Sequence, residues 1–105
     1  MQPITQPNEQ KITSLQQLFE TGQIHNFQEE DFINQAFEFI DQNLIMDCKL
    51  LYEEGLKKFP HSAELFFEFG YFLFENGEVK SAKESLMKVN IIKTKIYNPV
   101  YYFYE

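Results

Sequence analysis

The sequence predicts an all-α fold. Apolar residues recur at spacings of three and four along most of the chain, the mark of one helical face. No stretch alternates apolar and polar residues in the two-residue period of a half-buried strand. Glycine, asparagine and proline interrupt the helical pattern at points where a helix must stop and turn. The 105 residues suffice for one domain, and at 44% hydrophobic and 17% aromatic they are too apolar to be disordered throughout.

Residues 1–11 are polar and hold two prolines, which reads as a loose N-terminal arm. They lack the basic start and the apolar run of about 7–15 residues that a secretory signal needs. At Thr13-Ser14 a hydroxyl is placed to cap the first free amides of a short helix. Ile12, Leu15, Leu18 and Phe19 then form its apolar face, and Gly22 ends it. Asn26 is the expected start of a second helix, with Glu29, Glu30 and Asp31 near the positive end of its dipole. Phe32, Ala36, Phe39 and Ile40 follow on one face, and the stop falls at Gln42-Asn43, because asparagine tolerates a left-handed backbone.

The next helix is expected over about 44–58, with Lys57 and Lys58 at its negative end and Phe59-Pro60 closing it. Ser62 caps the following helix, whose apolar positions are Leu65, Phe66, Phe69, Phe72 and Leu73, and Asn76-Gly77 stops it. A last long helix is expected from Glu78 to Asn90, turning Val79, Ala82, Leu86 and Val89 inward. Asn98-Pro99 then reads as a cap followed by proline at a first helical position, opening an aromatic stub over 97–105.

A self-comparison at a shift of 34 residues superposes the two helix pairs. Glu30 falls on Glu64, Phe32 on Phe66, Ile33 on Phe67, Ala36 on Gly70, Phe37 on Tyr71 and Cys48 on Ala82. Asp41 falls on Glu75 and Asn43 on Gly77. Large residues meet large, small meet small, and turn residues meet turn residues. The second unit reads Phe66, Phe69, Gly70 and Leu73, then Gly77, Ala82, Leu86 and Val89; the first holds Phe32, Gln35, Ala36, Phe39, Asn43, Cys48, Tyr52, Gly55 and Pro60 in the same slots. This pattern resembles the tetratricopeptide repeat, over about residues 29–96. The first unit departs from it at Gln35, normally aliphatic, and Gly55, normally alanine. The resemblance implies a short α-solenoid of antiparallel helix hairpins within a helical domain at 12–96, the first short helix flanking the stack.

The resemblance also implies a concave groove lined by the first helix of each pair. Carried over to this sequence, that groove takes Glu30, Ile33, Phe37, Ile40 and Asp41 from one unit. The other contributes Glu64, Phe67, Tyr71, Phe74 and Glu75. The result is an aromatic strip with an acidic rim, suited to a protein or peptide segment carrying apolar anchors and basic residues. The expectation is therefore a noncatalytic interaction module or scaffold subunit. A family subtype that grips a C-terminal carboxylate with basic groove residues is excluded, since the matching places hold Ile33, Phe37 and Glu68. The alternative expectation is self-association, a homodimer in which Tyr97, Tyr101, Tyr102, Phe103 and Tyr104 complete the repeat stack of a second protomer. Beside it stands a tail folded onto its own domain.

Charge narrows the classes further. The net charge is −7, and all nine bases are lysines. Without arginine the chain lacks the bidentate fork that reads guanine edges, and its acidity repels phosphate backbones, so no nucleic-acid partner is expected. The longest aromatic cluster, 65–74, is about half of what a bilayer span requires, so no membrane span is expected. One cysteine excludes an internal disulfide. Cys48 occupies a small-residue slot with no histidine nearby in sequence, which favours core packing over reactivity. His25 and His61 fall in turns with no second ligand at metal spacing, and the adjacent acids Glu53-Glu54 read as helix solubility. No phosphate loop, nucleophile elbow or metal helix motif is present, so neither catalysis nor a cofactor is expected. A lone cysteine and the missing targeting signal suit the cytoplasm.

Overall fold

A computed structural model of the chain describes residues 14–97, with side-chain surroundings for residues 14–94. The arm at 1–11, Ile12, Thr13 and the stub from Asn98 lie outside the described residues. Within them the fold is all helical: α1 Leu15–Glu20, a 3-10 turn Gln23–Asn26, α2 Glu29–Asp41, α3 Ile45–Lys58, α4 Ala63–Glu75 and α5 Val79–Tyr97. α2 with α3 and α4 with α5 form antiparallel hairpins stacked in sequence order, and α1 packs on α3.

The repeat read from the sequence reappears in the backbone. Glu29 and Ala63 begin α2 and α4, Asp41 and Glu75 end them, and Ile45 and Val79 begin α3 and α5; each pair is 34 residues apart. Both hairpin turns are built alike. Asn43 and Gly77 take left-handed backbone at φ 63° and 84°. The Leu44 amide then donates to the Phe39 carbonyl at 2.8 Å, and the Glu78 amide to the Leu73 carbonyl at 2.9 Å. That closure occupies carbonyls which the helix ends otherwise leave unpaired.

Serines cap two helices as expected. Ser14 Oγ accepts from the Gln17 amide and Ser62 Oγ from the Leu65 amide, both at 3.1 Å. α2, however, begins three residues after Asn26, which instead ends the 3-10 turn. Gln28 holds the cap position, and its amide donates to Asp31 Oδ2 at 2.8 Å. The Gln28–Asp31 pair makes the reciprocal cap; Asn26, which has Glu29 at the same spacing, is taken up as the last residue of the 3-10 turn instead.

The core runs through both hairpins and α1: Leu15, Leu18, Phe32, Ala36, Phe39, Cys48, Leu51, Tyr52, Leu65, Phe72, Leu73 and Ala82 are buried. Phe32 is wedged edge-on against Phe27 and Phe59, with ring centroids at 5.1 and 6.3 Å. The departure at Gly55 has its cause here, because a Cβ there would lie 3.0 Å from Phe32 Cγ. Gln35, the other departure, is half-buried. α1 is fastened at both ends of α3: the Leu15 amide donates to Asp47 Oδ2 at 3.0 Å, and Lys58 Nζ donates to the His25 and Phe27 carbonyls of the adjoining turn.

Three further expectations are corrected. α5 continues to Tyr97 rather than stopping near Asn90, since no glycine or proline interrupts it until Pro99. Its inward face is Ala82 and Ser85 with half-buried Val89, while Val79 and Leu86 are exposed. Ser85 takes the place against α4 because its hydroxyl donates to the Phe66 carbonyl at 2.7 Å. Leu86 then lies to one side, over Gly70, where a Cβ would come within 2.8 Å of it. Phe19 is exposed as well; a six-residue helix docked through Leu15 and Leu18 leaves it at the rim of a cleft with Ile24 and Phe32.

Two buried polar groups yield predictions. Burial pushes the Cys48 thiol from its ordinary 9.0 up to about 12, and pushes the Tyr52 hydroxyl up as well, Cys48 and Glu68 adding to the effect. Both groups stay protonated in the fold, so their contribution is complete below pH 9 and is lost as pH rises towards 12. The urea midpoint is expected to hold to about pH 9 and then fall, with Cys48→Ala removing the first part of the decline. In the native chain at pH 8 a disulfide reagent should label Cys48 at least 100-fold more slowly than in urea; comparable rates would contradict its burial. The Tyr52 hydroxyl is buried without a hydrogen-bond partner among the described residues. Tyr52→Phe is therefore expected to leave stability unchanged or raise it by about 1 kcal/mol in chemical denaturation. A loss would reveal a partner for the hydroxyl.

Candidate functional site

α2 and α4 hold equivalent places in the two hairpins and pack against one another. Each turns one side to the core, through Phe32, Ala36 and Phe39 on α2 and Leu65, Phe72 and Leu73 on α4. The other side of each carries an apolar stripe at i, i+4 and i+7. On α4 this is Phe67, Tyr71 and Phe74, exposed by 50%, 53% and 59%. On α2 it is Ile33, Phe37 and Ile40, of which Phe37 and Ile40 are exposed and Ile33 is half-buried against the core. The sequence-expected groove residues thus divide cleanly. Five of the apolar ones stand in solvent, and Ile33 contributes an edge.

The expected rim is exposed too. Glu30 and Glu64 lie in the first turns of their helices, Asp41 and Glu75 at the last residues. Initial acids suit a helix N-terminus, whereas Asp41 and Glu75 face the negative end of their dipoles and gain nothing there. Across their full lengths α2 holds five acids and α4 three, with no lysine in either. Glu68, half-buried one turn after Glu64, has its carboxyl held above the usual range, first by burial and then by the Glu64 charge. Like charges are crowded along this side, and nothing basic on these two helices relieves them.

Other exposed apolar groups are differently set. Met46 and Leu50 on α3 are flanked by Asp47 and Lys49, the pattern of single residues on a solvated helix. A cleft of about 350 Å³ between α3, α4 and α5 holds Lys49, Ser81, Glu84, Ser85 and Lys88. Its polar groups already join helices: Lys49 pairs with Glu78 at 3.0 Å, Ser85 holds the Phe66 carbonyl, and Lys88 lies over the Phe66 ring. The cleft beside Phe19 is similar, Lys57 pairing with Glu54 and Lys58 holding two carbonyls.

His25 and His61 are exposed in turns, and Cys48 is a buried free thiol. Among the described residues no group of three or more His, Cys, Asp or Glu is placed to hold a metal ion. No helix among them is long and apolar enough to cross a membrane. Of the self-association residues, Tyr97 closes α5, and Tyr101, Tyr102, Phe103 and Tyr104 lie outside the described residues. Sequence spacing missed the exposure of Val79 and Leu86, as it did that of Phe19 and Ile40. Comparison with family models, curated proteins and solved structures finds no match to this chain.

Proposed function

We propose that the chain is a noncatalytic protein-interaction module whose α2–α4 side binds an amphipathic helix or extended segment with apolar anchors and basic residues. One observation carries this reading: the same exposed stripe occurs twice, 34 residues apart, on adjacent helices. Phe37 and Ile40, 47% and 38% exposed, answer Tyr71 and Phe74 at 53% and 59%. Stability alone gives no reason to place large aromatics in water at corresponding positions of both hairpins. The crowded acids favour a basic partner, since a lysine or arginine laid between Glu64 and Glu68 relieves their repulsion. The use matches what the tetratricopeptide resemblance implies, with a first-helix face as the groove.

The test is fluorescence titration of the full chain with a labelled helical peptide carrying leucine or phenylalanine at i, i+4 and i+7 and lysines on its flanks. Saturable binding is expected, weakening as salt rises from 50 to 500 mM because rim charges are screened. The same peptide with glutamates for lysines should bind at least tenfold more weakly. Equal affinity for the two peptides would remove the acidic rim from the account, and binding of neither would remove the groove.

A further inference from the structure

The first hairpin shows what covers a hairpin's side in this fold, and among the described residues nothing covers that side of the second. α4 lies on α2 and α3. Its Phe69 and Phe72 rings sit 5.4 and 5.8 Å from Tyr52, which is wholly buried. Directly after α4, Glu78 reaches Lys49 at 3.0 Å. The residues of α5 corresponding to Ile45, Lys49 and Tyr52 are Val79, Lys83 and Leu86, at i, i+4 and i+7 on one side of the helix. Ile45 packs against the core, whereas Val79 is 44% exposed; Tyr52 is 0% exposed, whereas Leu86 is 36%. Lys83 is exposed with no carboxylate in ion-pair distance among the described residues.

We infer that this open side of α5 is a second docking surface, distinct from the α2–α4 groove, and that it takes an amphipathic helix of another protein chain. The chemistry of the occupant follows from α4. It carries large apolar residues three apart, as Phe69 and Phe72 are, to cover Leu86 and Val79. A carboxylate six residues beyond the second of them pairs with Lys83, as Glu78 pairs with Lys49. Charge favours the same answer: α5 carries five lysines and one acid, the reverse of α2 and α4. α5 also runs on to Tyr97 past the point corresponding to Lys58, so among the described residues no helix of this chain turns back onto that side as α4 does after α3.

The probe is a labelled peptide of residues 62–78 with Phe67→Gln, Tyr71→Gln and Phe74→Gln, which keeps the seating side and makes the other side soluble. Titrated into the full chain, it is expected to bind saturably. Leu86→Asp should weaken binding at least tenfold, and Tyr71→Ala in the protein should leave it unchanged. Because Leu86 packs over Gly70, the exposed Lys83→Glu serves as the variant that leaves the fold alone. It should weaken binding about threefold, and a peptide with Glu78→Lys should restore it. Three results overturn the proposal: binding indifferent to both α5 variants, no binding at 1 mM peptide, or binding that appears only after residues 98–105 are deleted. The last would give the surface to the chain's own tail.

Discussion

Replacing Phe32 by alanine is expected to lower folding stability by about 3–5 kcal/mol, a large share of what a domain of this size possesses. The ring is 1% exposed, lies edge-on to Phe27 and Phe59, and touches Gly55 of the facing helix. It joins α2, α3 and the segment between α1 and α2, so its removal leaves a cavity walled by three elements. Gly55 sharpens the test by a change of sign. Alanine in a helix gains about 1 kcal/mol over glycine. At Gly55 the new Cβ would lie 3.0 Å from Phe32 Cγ and 3.3 Å from its Cβ, and a ring held on both sides has little room to yield. Gly55→Ala is therefore expected to destabilise the native chain by about 1 kcal/mol net. In the Phe32→Ala background it should stabilise by about the same amount, because the methyl enters the vacated space. Urea denaturation of the four proteins, followed by helical circular dichroism, gives the cycle. Equal effects of Gly55→Ala in both backgrounds would show that the two residues do not meet.

The second large effect concerns binding. Tyr71 and Phe74 are more than half exposed, so their replacement by alanine removes little core contact. Alanine is also the better helix former. The double variant is expected to keep its helicity and to lie within about 1 kcal/mol of the native stability. Against a basic amphipathic peptide the expectation is the opposite. Aromatic anchors buried at the centre of an interface are each worth about 2 kcal/mol, so each single change should weaken affinity about 30-fold and the pair more than 100-fold. Affinity within threefold of the native chain would mean that the stripe is not the contact.

Much of the fold was legible because this chain states its architecture twice. The serine caps, Asn43 and Gly77 at the turns, and the small residues Ala36, Gly70, Cys48 and Ala82 are local signals with local causes. The stripe Phe37, Ile40, Phe67, Tyr71 and Phe74 was named from the groove positions that the tetratricopeptide resemblance implies, although periodicity alone set Ile40 beside the core residues Phe32, Ala36 and Phe39, and it stands exposed. What escaped depends on partners distant in sequence. Asn26 reads as a helix cap in sequence, but it ends a 3-10 turn and the helix starts at Glu29 behind Gln28. Ser85 was not among the expected inward residues of α5, and its burial rests on the Phe66 carbonyl of another helix. Leu86 and Val79 fit an inward pattern, and only the absence of a covering helix among the described residues leaves them exposed. Gly55 departs from the repeat pattern for a reason found on another helix, the Phe32 ring.

The most direct test of the account is amide chemical-shift mapping of the full chain during titration with the basic amphipathic peptide. Saturating shifts should gather on α2 and α4 around Ile33, Phe37, Ile40, Phe67, Tyr71 and Phe74, while the outer side of α3 at Met46 and Leu50 stays still. Shifts centred on Met46 and Leu50, or none that saturate, would contradict the claim that the paired first helices form the binding surface.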